Sequence, residues 1–338
     1  MKRRLALPLA VALLMLTLLV ALSFGGADLP LGRSARLLFS ALGLGDAPDA
    51  PTWQRVIVLD IRLPRVLLAL VCGGALATAG GAMQGVFQNP MADPGILGVS
   101  AGAALGAVSA LYLLPVGLAT LGVPVAAFLG ALGCALGAYL LSRRAGRADM
   151  HTLLLAGIAL GGVASAGTSL LLSVSLADWE VGRAMLDWLM GGLDGRGFRE
   201  LWLAAPMALG GSVWLFTYAR DLDVLSTGEE SALAVGVDVA RVRRELLALT
   251  SLVTAATVAV MGVVGFVGLM VPHLVRLWVG PKHARLLPLS FLVGAMLLMG
   301  ADLACRLVPT GDLRLGVVTA ITGGPFFLWL LYREKARL

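Results

Sequence analysis

The chain has 338 residues, 59% of them hydrophobic and 14% charged, with a mean hydropathy of +0.90 and a formal net charge of +6. That composition excludes a water-soluble globular domain. Segments of about 20 apolar residues recur along it, each long enough to cross a hydrocarbon core of about 30 Å, and in lipid the backbone must then be helical.

Ten membrane spans are predicted, at 5–24, 63–87, 94–113, 118–141, 152–176, 199–218, 240–261, 264–280, 286–306 and 314–332. Basic residues cluster at 2–4, 143–147, 241–244, 276–285 and 333–337, all on one side of that arrangement. The positive-inside rule makes this side cytoplasmic, with both chain termini on it. The basic excess is therefore a topology signal and no argument for nucleic acid. Lys2, Arg3, Arg4, the apolar run behind them and Gly25-Gly26-Ala27 also have the layout of a secretory signal with its cleavage site. The length of the run and the spans that follow favour a first span. Cys72, Cys134 and Cys305 lie in separate spans without ligand spacing and read as small buried residues.

Outside the first span, 31–44 and 53–61 read as short amphipathic helices on the membrane surface. Arg62-Leu63-Pro64-Arg65 opens the second span; its arginines suit either interface anchors or a positive docking patch. Small residues recur every fourth position in three spans: Gly73, Ala77, Gly81 and Gly85; Gly98, Gly102, Gly106 and Ala110; Gly157, Gly161, Ser165 and Ser169. Such stripes let helix backbones approach closely. Between the second and third spans, Phe87 to Gly95 packs two prolines, an asparagine and an aspartate into a tight cytoplasmic turn. The outer loop carries Trp188-Leu189-Met190-Gly191-Gly192, a short helix followed by glycines that can hinge. Gly262, Gly265, Gly268 and Pro272 mark a break between spans. Asp302 and Arg306 are spaced as an i,i+4 pair.

The stretch from Arg220 to Glu245 is densely charged and lies on the cytoplasmic side. Ser226 and Glu229 have capping-box spacing, Gly236 sits at a helix C-terminus, and Asp238 can cap the next span. The result is either a solvated loop or a compact helix on which a soluble partner can push. No catalytic or metal cluster is found: His151, His273 and His283 fall near the cytoplasmic face in different loops, without a carboxylate at ligand spacing. The chain has no mid-span Asp, Glu or Lys for an ion relay and no phosphate-binding glycine loop, so it is read as a non-enzyme that does not itself bind ATP.

Seven ordered stretches, from RLPR at 62–65 through GAMQGVFQNPMADPGILGVSAG at 81–102, LLLAGIAL at 153–160, WLMGG at 188–192, the GEE…A…GV pattern at 228–237 and GFVGLMVPHLVR at 265–276 to LGVVTAITGGPFFLWLL at 315–331, together resemble the permease subunits of the ABC importers for vitamin B12, ferric siderophores and haem. The resemblance implies an all-α, ten-helix permease of the vitamin B12 type, one domain over residues 1–338. It sits in the bacterial inner membrane as a homodimer or pair of similar subunits. Two ATPase subunits holding ATP and Mg bind its cytoplasmic face, and a periplasmic binding protein docks outside. Its coupling helix would lie within 226–237, using Ser226, Gly228, Glu229, Glu230, Ala232, Leu233 and Gly236. Arg62, Arg65 and Arg306 match arginines that pair with glutamates of the binding protein. Asn89 and Met91 match one cytoplasmic gate, and Met150, His151 and Thr152 the second, where Met150 and His151 depart from the small hydroxyl residues of relatives. Trp188, Met190, Gly191 and Gly192 would form the periplasmic gate region, and Arg314 stands where relatives commonly carry proline or a similar residue. An iron chelate, haem or a ferric siderophore, is the expected cargo, with vitamin B12 as the alternative. An ion-coupled secondary transporter is the competing class.

Overall fold

Each expected span contains a helix in the computed structural model, which describes residues 6–44, 50–144, 147–308 and 313–335. In chain order the helices are α1 (Ala6–Ser23), α2 (Leu31–Ala41), α3 (Thr52–Val86), α4 (Val99–Leu113), α5 (Val116–Ser142), α6 (Met150–Ser175), α7 (Trp179–Leu189), α8 (Phe198–Thr217), α9 (Ala219–Leu225), α10 (Glu229–Ala234), α11 (Val239–Met261), α12 (Val267–Val279), α13 (His283–Leu307) and α14 (Leu315–Lys335). A two-residue antiparallel pairing, Arg143–Arg144 with Arg147–Ala148, closes the α5–α6 turn.

Among the described residues, six helices are long and apolar enough to cross a membrane. The count rises to seven if α8 and α9, which meet the same length and composition only together and are bent by 55° at their junction, are taken as one span. The helices α4, α12 and the apolar part of α14, Leu315–Leu330, are shorter and fill the remaining expected places.

The centre of the bundle is α3, whose residues from Val71 to Val86 are all buried. Burial on every face requires neighbours that come close, and the small-residue stripes provide it. A Cβ on Gly73 would overlap the carbonyl oxygen of Gly294 on α13, and one on Gly294 would overlap that of Gly73. Gly102 and Gly130 make the same reciprocal approach between α4 and α5. Gly157 on α6 lies against the carbonyl of Ile96. The stripes thus mark where backbones touch, with van der Waals packing and not water exclusion holding the helices together. Gly73→Val is expected to destabilise the chain by at least the 1–3 kcal/mol typical of overpacking, because backbone cannot step aside as a side chain can. Gly300→Ala, where nothing lies within 4 Å of the added carbon, is the neutral control. Thermal stability of the detergent-solubilised variants distinguishes the two.

Two local expectations are corrected. Residues 53–61 do not lie apart as a surface helix; they continue into the second span as part of α3, through a π-helical stretch at Val56–Arg62. The third span does not start at 94. Asp93 caps a 3-10 turn, Pro94–Leu97, which ends in Gly98 at φ +77°, and the α-helix begins at Val99. The broken region between spans is as expected: α11 stops at Gly262, Phe266 takes φ +69°, and α12 begins at Val267.

Candidate functional site

The charged stretch after α8 folds as α9, α10 and the start of α11, and its punctuation differs in part from the expectation. Ser226 and Glu229 form no capping box. Ser226 donates its hydroxyl to the carbonyl of Asp223, closing α9, and Gly228 at φ +111° is the N-cap of α10. A serine two residues further from the helix cannot reach its free N–H groups. Glu229 instead accepts from Arg243 on α11 at 2.8 Å, a strut across the turn between the two helices. The other end is as expected. Gly236 at φ +84° donates to Leu233 O, and Val237 N donates to Ala232 O, the two bonds of a Schellman ending. Asp238 accepts from Arg241 N at 3.0 Å and caps α11. Ala232 is the buried contact of α10, whereas Leu233 is 51% and Val235 69% exposed, beside exposed Glu229 and Glu230.

The expected gate residues meet this helix around one cavity of about 400 Å³. Its walls are Phe87, Gln88 and Asn89 from the turn after α3, Met150, His151 and Leu154 from the start of α6, and Glu229 with Arg243 from the strut. The turn is held by its own side chains. Asn89 Oδ1 accepts from Met91 N at 2.9 Å, and Gln88, at φ +49°, donates to Leu225 O at 2.6 Å. Burial pushes the Asp93 carboxyl above the ordinary carboxylate range, opposed by the Gly95 N–H it accepts at 2.8 Å. Asp149 caps α6, accepting from both the N–H and the hydroxyl of Thr152. Thr152 therefore serves the cap, and neither it nor Met91 lines the cavity. His151 is exposed at its edge.

A second histidine has a partner that sequence spacing hid. His283, at the start of α13, is 4% exposed, and both its backbone N–H and its ring Nδ1 reach Asp223 Oδ1, at 2.8 and 2.7 Å. The pair ties α9 to α13 across 60 residues of sequence. His273 lies within α12, not in a loop, with its ring edge-on to Phe326.

At the opposite end of the bundle the three singled-out arginines come together, turned inward. Arg62 is 4% exposed; its guanidinium donates to the carbonyls of Leu22, Ser23, Gly25 and Ala27. Arg306 donates to Phe24 O at 3.2 Å and Ala21 O at 3.0 Å. Both occupy the C-terminus of α1, where unpaired carbonyls and the helix dipole favour cations. The expected i,i+4 pair is present, Arg306 to Asp302 at 3.1 Å, but Asp302 also accepts from Arg65 at 2.7 Å. Arg65 reaches on to Asp194 at 2.5 Å, and Arg314 joins Asp194 at 3.7 Å and Asp187 at 2.5 Å. A chain of alternating charges thus runs from α13 to the loop around α7. Asp187 and Asp194 were invisible as partners in sequence, being more than 100 positions from the arginines they meet.

Those two aspartates bracket Trp188, Met190, Gly191 and Gly192. Gly191, at φ +66°, and Gly262 lie against each other, and a Cβ on Gly262 would overlap the carbonyl of Trp188. Gly192 N donates to Met261 O at 2.8 Å, and Gly316 N donates to Met190 O at 3.1 Å. The turn after α7 is thereby stapled to the end of α11 and the start of α14. Among the described residues no group of three His, Cys, Asp or Glu is placed to hold a metal ion.

Residues 13–333 match the model of the FecCD transport family. The chain is 41% identical to the hemin transport system permease protein HmuU of Yersinia pestis, over 95% of both chains. It is 44% identical to the cobalamin import system permease protein BtuC of Halobacterium salinarum, over 85% of this chain and 76% of that one. It is 41% identical to the Fe(3+) dicitrate transport system permease protein FecD of Escherichia coli K12, over 82% and 86%. Its fold is similar to a solved inward-facing conformation of a metal-chelate type ABC transporter, with a TM-score of 0.84 and 31% identity over 96% of this chain and 97% of that one.

Proposed function

The chain belongs to the FecCD transport family, a multi-pass ABC importer permease, and from this we propose that it carries an iron chelate from the periplasm to the cytoplasm across a bacterial inner membrane. The observation that carries the reading is the cavity shared by Asn89, Met150, His151 and Glu229. Residues of the Asn89 turn, the start of α6 and the Glu229–Arg243 strut line one space, which supports reading them as one mechanical unit.

In this reading the end holding that cavity, and both chain termini, faces the cytoplasm. The exposed tip of α10, with Leu233 and Val235 flanked by Glu229 and Glu230, receives an ATPase subunit. Exposed apolar side chains outside the spans mark an interaction surface. ATP and Mg belong to that partner; the chain itself carries no cofactor and performs no bond chemistry. A second copy of the chain completes the path, placed against α6, which exposes Leu155, Ile158, Val163 and Leu170. ATP-driven movement of α10 is passed through the Glu229–Arg243 pair to α11, and through Gln88–Leu225 to the Asn89 turn. Such a movement needs the partner's two states to bind α10 unequally.

Outside, the binding protein presents carboxylates to Arg65 and Arg306, displacing Asp194 from Arg65. Arg62, its donors taken by four carbonyls, holds the end of α1 in place for them. Released Asp194 then frees one anchor of the Trp188–Gly192 turn.

Haem is favoured among iron chelates by Met150 and His151 at the cavity wall, since imidazole and thioether are haem ligands. The cobalamin reading is favoured by the 44% identity to a cobalamin permease. Uptake into proteoliposomes carrying the chain, its ATPase and its binding protein, tested with haem, a ferric siderophore and cobalamin, separates them. ATP-dependent uptake of haem or the siderophore is the expected result. Uptake driven by an ion gradient without ATP would overturn the class.

A further inference from the structure

An apolar groove of about 670 Å³ runs between α5 and α11, separate from the cavity at the gates. We propose that it binds one acyl chain of a phospholipid from the adjacent leaflet, with the anionic headgroup on Arg244.

The depth of the groove fits one monolayer. Along α5 its lining runs from Leu129 to Tyr139, ten helical rises and so about 15 Å of helix. That is half of a hydrocarbon core of about 30 Å, measured from the membrane end where Arg244 lies. The rim residues Leu129 and Leu136 are 61% and 58% exposed, so the groove opens sideways to lipid and not into the bundle. Among the described residues one charged side chain lines it, Arg244, at the mouth. On the same helix Arg241 is paired with Glu245 and Arg243 with Glu229, whereas Arg244 has no ion pair among the described residues. Arg143, exposed just beyond the last turn of α5, brings a second cation to the same end. A cation above an apolar slot of monolayer depth is complementary to a phosphate above an acyl chain.

The floor of the groove gives the site a consequence. Leu97, 2% exposed, ends the 3-10 turn that follows the Asn89 loop, and Leu153, 1% exposed, is in the first turn of α6 beside His151. A chain seated there touches both gate elements and α11 together, and fills the space into which they could separate. That consequence rests on the gating role proposed above; occupancy of the groove does not.

Gly133 on α5 lines the groove, and nothing lies within 4 Å of a Cβ added there. Gly133→Phe therefore fills the groove without moving a helix. The test is native mass spectrometry of the full chain extracted from nanodiscs of phosphatidylglycerol and phosphatidylcholine in equal amounts. The expected result is one retained phospholipid per chain, enriched several-fold in phosphatidylglycerol. Gly133→Phe should lose it, and Arg244→Gln should keep a lipid but lose the enrichment. Retention unchanged in Gly133→Phe, checked for the same elution profile as wild type, would overturn the site. Unchanged enrichment in Arg244→Gln would overturn the headgroup assignment independently of how the first variant folds. A disulfide between two chains carrying Leu136→Cys would show that a second copy covers the groove, and would overturn the proposal as well.

Discussion

Asp302→Ala is expected to destabilise the folded chain by about 3–5 kcal/mol, the cost of removing one partner from a buried ion pair and leaving the other charge uncompensated. The carboxylate is 1% exposed and is shared by Arg65 at 2.7 Å and Arg306 at 3.1 Å, whose side chains are 12% and 11% exposed. Without it two guanidiniums face each other across a site that water scarcely enters. Arg65 keeps Asp194, but that carboxylate is 48% exposed and compensates less. Arg306 keeps the carbonyls of α1, so the strain falls on the contact between α1, α3 and α13. Asp302→Asn, which keeps the shape and loses the charge, should fall between alanine and wild type. The check is the temperature at which half of the detergent-solubilised chain leaves its monodisperse peak. A chain of this length shifts by roughly 2 °C per kcal/mol, so the expected fall is several degrees. An unchanged temperature for both variants would mean that Asp194 holds Arg65, and the carbonyls at the end of α1 hold Arg306, without help from Asp302.

Much of this architecture is legible from apolar run length, because lipid leaves a spanning backbone no alternative to the helix. The small-residue stripes were legible for the same kind of reason: a glycine repeated every fourth residue has few uses besides close approach, and Gly73 and Gly102 are used that way. Local punctuation was read correctly where the partner is adjacent in sequence, as with Gly236, Asp238 and the Asp302–Arg306 pair. It failed where a tertiary partner competes. Glu229 has the spacing for Ser226 but lies within reach of Arg243, and a full charge offers it more than a backbone N–H does. Arg62 and Arg65 looked alike on one helical turn, yet one holds carbonyls and the other a carboxylate from 237 positions away. Asp223–His283 and Arg314–Asp187 were hidden for the same reason: no periodicity connects residues that only the packed bundle makes neighbours. The family resemblance assigned Asn89 and His151 to two expected gates; only the folded chain puts them and Glu229 around one space.

Charge reversal at Glu229 should cut ATP-driven uptake at least tenfold, and the manner of its rescue separates two roles for this residue. Glu229 is 46% exposed and meets Arg243, which is 17% exposed, at 2.8 Å. A pair so exposed on one side contributes little to global stability, about 0–1 kcal/mol, so Glu229→Arg should fold. Its effect is local: two like charges now oppose each other across the turn from α10 to α11, and the helix proposed to take the partner's push is no longer tied to α11. ATP hydrolysis by the assembled importer would then continue while uptake falls at least tenfold. The double variant Glu229→Arg with Arg243→Glu restores the pair in reverse. If the strut carries the movement, the double variant recovers most of the uptake that the single one lost. If Glu229 acts instead by touching the ATPase directly, the swap leaves the wrong charge facing the partner and uptake stays low. Glu230, its neighbour on the exposed face without an internal ion pair among the described residues, is the control for that second role. Its reversal should weaken ATPase binding in a way that no change at Arg243 repairs. Uptake that survives reversal at both glutamates would remove α10 from the coupling path altogether.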